Sequence, residues 1–235
     1  MPPREYDERR DEAILESILP AGETQSDLAR AAAAVRSAFE FTLPNDSAWS
    51  RERELLTLLR ADLKERSQGP AAAEELLEAT ESFASHLYFT RRSQLYRRLE
   101  NTAAADAATR RSSEFPPDPI RESLLKAIDR LQAHAPADAL TEVNHIIDRE
   151  PAHFAARLLQ GVCFLQLQRA AEARVAFTAC IAQRPTFPWS YYFRSQADSA
   201  LGNAADVDLA TAATLKPSAT LRLLLDRAEA GEVGR

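Results

Sequence analysis

The chain has 235 residues, of which 45% are hydrophobic and 27% are charged, a composition that is usual for folded proteins. Its formal net charge of −6 argues against a nucleic-acid-binding protein, because such proteins usually carry a basic surface. No apolar run approaches the roughly 20 residues of a membrane span, and the charged amino terminus does not resemble a secretion signal, so we expect a cytoplasmic protein.

Apolar residues at helical spacing run along nearly the whole chain, without the alternation that is typical of strands. The first predicted helices contain the segments DEAILESIL, SDLARAAAAVRSAFEF, AWSRERELLTLLRADLKER and AAAEELLEATESFASHL. Short breaks separate the later helices: SEFPPDP, AHAP, REP, QRPTFP, LGN and LKP. Breaks this short and this evenly spread favour stacked antiparallel helix pairs over two globular domains on a flexible linker.

Prolines recur at a regular interval in the carboxyl-terminal half of the chain. Pro117, Pro151 and Pro185 are separated by 34 residues each, and Pro217 follows 32 residues later. A period of about 20–50 residues indicates a repeat array. With the proline at position 32, the predicted repeats are 86–119, 120–153, 154–187 and 188–219, followed by a capping helix and tail over 220–235. The region 1–85 is predicted to be helical, either as diverged repeats or as a helical cap.

Small and aromatic residues fall at fixed positions of the repeat 154–187. Small residues stand at positions 8, 20 and 27 and aromatic residues at positions 11 and 24: Gly161, Ala173, Cys180, Phe164 and Phe177. This pattern resembles the tetratricopeptide repeat (TPR), and the other repeats match it with decreasing fidelity. The resemblance implies an all-α fold, a right-handed superhelical array of antiparallel helix hairpins (an α-solenoid) that mediates protein–protein interaction.

A longer segment, GVCFLQLQRAAEARVAFTACIAQRPTFPWSYYFRS, resembles the TPR regions that follow the kinase domain of large bacterial Ser/Thr kinases. The chain contains no Gly-rich phosphate loop, no H-R-D loop and no D-F-G motif, so kinase activity is not expected. This likeness implies an alternative function, a regulatory or self-associating module of a bacterial kinase system.

The first helix of each repeat carries a stripe of residues at positions 2, 5, 9 and 12, which share one helix face. In TPR arrays this stripe lines a concave groove that binds the partner. The resemblance therefore implies the following groove residues: Gln94, Arg97, Arg121, Leu124, Ile128, Leu158, Val162, Trp189, Tyr192 and Gln196. Leu165 and Ser199 occupy position 12 of the last two repeats.

The floor of the predicted groove is largely apolar, with Leu124 and Leu158 at position 5 and Ile128 and Val162 at position 9. Family members that bind a carboxyl-terminal carboxylate have Lys and Asn at these positions, so that activity is not carried over. An apolar floor with aromatic residues at one end favours a peptide or an amphipathic helix as the partner. Alternatively, the chain's own amino-terminal helices or a second copy cover these residues. The expected function is a non-catalytic scaffold or adaptor.

The sequence contains no recognisable framework for catalysis, a metal or a cofactor. The two cysteines, Cys163 and Cys180, share one apolar pattern and are expected to be reduced and buried, with a disulfide as the less favoured alternative. The chain has neither an H-E-x-x-H nor a C-x-x-C motif. Its four histidines are His86, His134, His145 and His153. We therefore expect no catalytic residue, no metal site and no cofactor.

Overall fold

The computed structural model describes residues 4–18, 24–40, 49–79, 83 and 85–229. These residues form thirteen helices and contain no strand, which confirms the predicted all-α fold. In chain order the helices are α1 (Arg4–Ile18), α2 (Gln25–Glu40), α3 (Ser50–Gln68), α4 (Pro70–Ala79), α5 (His86–Arg98), α6 (Thr102–Ser112), α7 (Pro119–Gln132), α8 (Pro136–Arg149), α9 (Phe154–Gln166), α10 (Ala170–Gln183), α11 (Pro188–Ala200), α12 (Asp206–Thr214) and α13 (Ala219–Glu229). The end of the predicted tail, 230–235, lies outside the described residues.

The chain divides into two compact units, Met1–Glu122 and Ser123–Arg235. In the first unit each helix packs on the next along the chain from α1 to α6, and α3 also contacts both α1 and α5. In the second unit α8 to α12 pack in the same successive order, and α9 also contacts α11. This order of contacts is that of stacked helix hairpins. The helices α1–α4 follow it too, while their assignment as diverged repeats or as a cap stays a prediction.

The turn between the two helices of each predicted repeat is built in the same way. One residue of each turn has a positive φ: Glu100 (56°), His134 (53°), Gln168 (59°) and Gly202 (73°). After each of them, a backbone N–H donates to the carbonyl five residues earlier over 2.8–2.9 Å, which is the Schellman motif. These turns are spaced by 34 residues along the chain, the same interval that separates Pro117, Pro151 and Pro185, while the bounds of the repeats stay a prediction.

The contact between Gly161 and Phe177 explains why a repeat needs a small residue at position 8. A Cβ atom on Gly161 would lie 2.5 Å from Cε1 and Cζ of Phe177. The Phe177 ring is fully buried and stacks on Phe193, with ring centroids 5.4 Å apart. Since the ring has no free space to move into, α9 and α10 can approach this closely only with glycine at position 161.

One predicted helical segment, AAAEELLEATESFASHL, is divided in the structure. Helix α4 ends at Ala79 and α5 begins at His86, and Ser85 between them is extended, with φ −143° and ψ 153°. The Ser85 hydroxyl accepts a hydrogen bond from Tyr88 N over 3.0 Å and thereby caps α5. Helix α5 therefore begins at the first residue of the predicted repeat 86–119, and its serine cap marks a helix start that apolar spacing alone does not reveal.

Candidate interaction surface

Most of the predicted groove residues are buried in the Ser123–Arg235 unit. None of the apolar and aromatic ones is more than 6% exposed: Leu124, Ile128, Leu158, Val162, Trp189 and Tyr192. They lie on the first helices of three repeats, as the register predicts, but they are covered by the chain's own atoms. Both a role of this stripe in binding a partner and its covering by the amino-terminal helices or a second copy stay predictions.

The Trp189 side chain lies at the centre of an aromatic cluster on α11. Its ring is edge-on to Tyr192 with centroids 6.0 Å apart, and it stacks on Phe193 with centroids 5.6 Å apart. Burial raises the pKa of Tyr192, and the positive charge of Arg227 on α13 acts in the opposite direction. The cluster is therefore part of the packed interior of this unit, within electrostatic reach of the last helix.

Part of the stripe in this unit remains accessible. Gln196 and Leu165 are half-buried, and Ser199 is exposed near the end of α11. Position 12 is therefore more accessible than position 5 on both α9 and α11, because Leu158 and Tyr192 at position 5 are buried. A partner could contact this unit's stripe at its polar edge.

In the Met1–Glu122 unit, two predicted groove residues on α5 are exposed. Gln94 and Arg97 both lie at the surface. The Arg97 guanidinium donates a long hydrogen bond, 3.5 Å, to the Thr109 hydroxyl of the paired helix α6. Both side chains are thus available to a partner in this unit.

Arg121, the third predicted groove residue of this unit, is held by α3. Its Nη1 lies 2.7 Å from Oε2 of Glu54, a carboxylate that is 3% exposed, and its Nη2 donates to the carbonyl of Arg51. The Ser85 hydroxyl donates to the other oxygen of the same carboxylate. The charge of Arg121 is therefore neutralised within the chain, by α3 of the region 1–85.

The repeat pattern did not single out an accessible apolar surface on α9 and α10. A depression of about 360 Å³ is bordered there by Phe164 and Val175, with alanines on its α10 side. Val175 is 69% exposed, and Val207, at the equivalent position of α12, is 75% exposed. Both valines stand two residues after the small residue at position 20 of their repeats. This shared position is the sequence signal that indicates the surface.

The four histidines have separate surroundings. His86 Nδ1 lies 2.9 Å from Oε1 of Glu122, and His153 caps the start of α9 through its Nδ1. His134 and His145 are exposed. Within the described part of the chain, no group of three or more His, Cys, Asp or Glu side chains is arranged to hold a metal ion.

Cys163 and Cys180 are buried free thiols on the paired helices α9 and α10. Burial raises the pKa of Cys163 to about 12, so the protonated thiol is its form near neutral pH. A protonated, buried thiol is a poor nucleophile.

Over the residues that the structure describes, no helix is both long and apolar enough to cross a membrane.

No protein-family model matches the chain, and no curated protein matches it. Among solved structures, the TPR2AB domain of yeast Sti1, solved as a complex with pHSP90, is similar over 94% of each chain. The sequence identity is 14% and the TM-score is 0.41. The successive packing of the helices and the turns at 34-residue intervals show, independently of that similarity, an array of stacked helix hairpins.

Proposed function

We propose that the chain is a non-catalytic scaffold or adaptor that binds a peptide or helix of a protein partner along the first-helix stripe. The observation that carries this proposal is the accessible edge of the stripe on α11, where half-buried Gln196 and exposed Ser199 follow the buried aromatic cluster. Stacked helix hairpins build extended surfaces of this kind, on which successive repeats contribute neighbouring side chains. We expect the partner to be a cytoplasmic protein. The net charge of −6 disfavours binding to nucleic acid or to an anionic membrane surface.

The buried stripe residues contribute rigidity to this surface. Leu158 and Val162 are buried on α9, which packs on α11, where Trp189 is fully buried. A surface whose backbone is held by packed neighbours loses little conformational entropy when a partner binds, which favours affinity. The polar edge then provides the contacts, and the buried residues keep it in place.

The double substitution Gln196→Arg with Ser199→Arg tests this assignment. Two added guanidinium groups at the accessible edge should exclude the partner and lower its recovery by about tenfold, the effect of losing one strong interface contact. The measurement is affinity capture from the native lysate, followed by quantitative mass spectrometry.

Thr178→Arg is the matched control, because Thr178 is exposed on α10 and lies outside the stripe. This variant should recover the same proteins as the wild type, and far-UV circular dichroism should be unchanged for both variants. Equal recovery of the same proteins by the stripe variant and the control would show that the partner binds elsewhere.

A second candidate function is the regulatory or self-associating module of a bacterial Ser/Thr kinase system that the sequence resemblance implies. The observation that favours self-association is the exposed Val175 beside the apolar depression on α9 and α10. An accessible apolar surface of this kind marks an interaction site more often than a scattered single side chain does.

Val175→Arg is expected to reduce self-association, because burying the new charge against a second copy is unfavourable. Light scattering over a range of concentrations should give a rising mass for the wild type and a monomer mass for the variant. Thr141→Arg is the matched control, since Thr141 is exposed at the equivalent position of α8. A wild type that stays monomeric at all concentrations would exclude self-association.

A further inference from the structure

The Met1–Glu122 unit contains a second depression, formed by α2, α3 and α4, with a volume of about 310 Å³. Its apolar lining includes Leu28, Leu63 and Leu76, and Arg36, Arg60 and Lys64 also line it. Pockets for small ligands have volumes from about 300 Å³ upward and combine an apolar lining with a few polar groups. The size and lining of this depression match the small end of that range.

The three cationic side chains have no anionic partner among the described residues. Neither Arg36 nor Lys64 takes part in an ion pair within the described part of the chain, and the only contact recorded there for the Arg60 guanidinium is with an aromatic ring. Other arginines of the same unit are paired, such as Arg92 with Glu74 at 2.6 Å. The depression therefore gathers unneutralised positive charge in a chain whose net charge is −6.

Three carboxylates of α2 and α3 are directed to other cations. Asp62 is directed to Arg66, at 3.8 Å, and Glu65 to Arg98, at 2.6 Å. Asp27 is paired with the arginine one turn further along α2. Each of these carboxylates thus has a cation of its own, and the like charges around the depression repel one another.

The Arg60 side chain is oriented toward one end of α2 by Phe39. Its guanidinium carbon lies 5.6 Å from the centre of the Phe39 ring, a distance at which cation–π attraction operates. No described residue accepts a hydrogen bond from the Arg60 guanidinium, so its N–H groups are available as donors to an anion.

We propose that this depression binds a small amphiphilic anion, that is, one carboxylate, sulfonate or phosphate group carried on a short apolar body. The anionic group would bind among Arg36, Arg60 and Lys64, and the apolar body would cover the half-buried side chains of Ala32 and Leu76. Both parts contribute, since the cations attract the charge and the apolar side chains bury hydrocarbon surface. The site lies in a different unit from the accessible edge on α11 and does not depend on the proposed scaffold function.

The test is a fluorescence titration of the full chain with 8-anilinonaphthalene-1-sulfonate at low ionic strength, followed by displacement with sodium decanoate. We expect saturable binding that decanoate reverses and that sodium acetate, which has the charge without the apolar body, does not. The double substitution Arg36→Glu with Lys64→Glu should weaken binding by about tenfold or more, the effect of removing a charge-assisted contact. Arg110→Glu is the matched control, because Arg110 is an exposed arginine of α6 outside the depression, and it should leave the affinity unchanged.

Dye binding by two further variants tests the proposal without reversing a charge. Ala32→Phe places a ring in the depression without changing its charge and should prevent binding of the dye, while the milder Lys64→Gln should weaken binding and reduce its salt dependence. Equal affinity of the wild type and the charge-reversed variant, at unchanged circular dichroism, would overturn the proposal. Loss of dye binding in Val175→Arg but not in the α2–α3 variants would also overturn it, because it would place the dye in the apolar depression on α9 and α10.

Discussion

Replacement of Trp189 by alanine is expected to lower the free energy of unfolding by about 3–5 kcal/mol. The Trp189 side chain is fully buried, and its ring contacts both Tyr192 and Phe193. The substitution removes a large apolar surface from the interior and leaves a cavity that the neighbouring rings fill only in part. Urea unfolding followed by far-UV circular dichroism measures the change.

Tyr191→Ala is the matched control for this experiment. Tyr191 precedes Tyr192 on the same helix, but its ring is only half-buried and its hydroxyl donates to the carbonyl of Pro185 over 3.1 Å. We expect this substitution to cost about 1 kcal/mol, the value of one hydrogen bond at the surface. An unfolding midpoint of Trp189→Ala close to that of the wild type would contradict the structural role given to the indole.

Removal of the Glu54 carboxylate is expected to lower the free energy of unfolding by a similar amount. The largely buried guanidinium of Arg121 then loses its ion-pair partner. In Glu54→Ala we expect a loss of about 3–5 kcal/mol, the usual result of breaking a buried ion pair from one side. The Arg121 side chain is 15% exposed, and the Ser85 hydroxyl that caps α5 also loses its acceptor. The same unfolding experiment reports this loss.

A double variant separates the ion pair from its surroundings. Glu54→Leu combined with Arg121→Met removes both charges, so the double variant should be more stable than either single one. The exposed pair of Arg111 and Glu114, with side chains 55% and 52% exposed, provides the control. Glu114→Ala should change the free energy by less than about 1 kcal/mol. Additive losses in the double variant would contradict a direct interaction between Glu54 and Arg121.

Both experiments concern residues of the predicted partner-binding groove. The positions of Trp189 and Arg121 match the stripe of the TPR pattern, and each of these side chains has intramolecular contacts in the structure. A loss of partner capture in variants of these residues would therefore be ambiguous, since unfolding also abolishes binding. The accessible residues Gln196 and Ser199 allow the groove to be tested with the fold intact.

The prediction of repeated hairpins could be made from the sequence because its causes are local. Proline prevents the helix before it from continuing, and the close contact of Gly161 with Phe177 joins residues 16 apart within one hairpin. Both signals depend on residue type and spacing along a short segment. The prediction of four hairpins from 86 to 219 follows from them.

The hairpin turns show where this local information is incomplete. Only Gly202 marks its turn by residue type, whereas Glu100, His134 and Gln168 adopt the same left-handed conformation at a cost of about 1–2 kcal/mol for a residue with a Cβ atom. The hydrogen bonds of the Schellman motif and the packing of the paired helices offset that cost. The cap at Ser85 is a further example, since it depends on one hydrogen bond and not on apolar periodicity.

The sequence by itself determined that the chain forms helices that pair into hairpins, and it predicted a stripe of residues that share one face of the first helix of each repeat. Only the tertiary structure decided that most of this stripe is covered, that Arg121 pairs with a carboxylate 67 residues away, and that three cations without described partners line a depression on α2–α4. The physical reason is that helix formation and hairpin packing depend on residues close in sequence. Exposure and charge neutralisation depend on which distant helix lies against a given face, and no spacing along the chain encodes that.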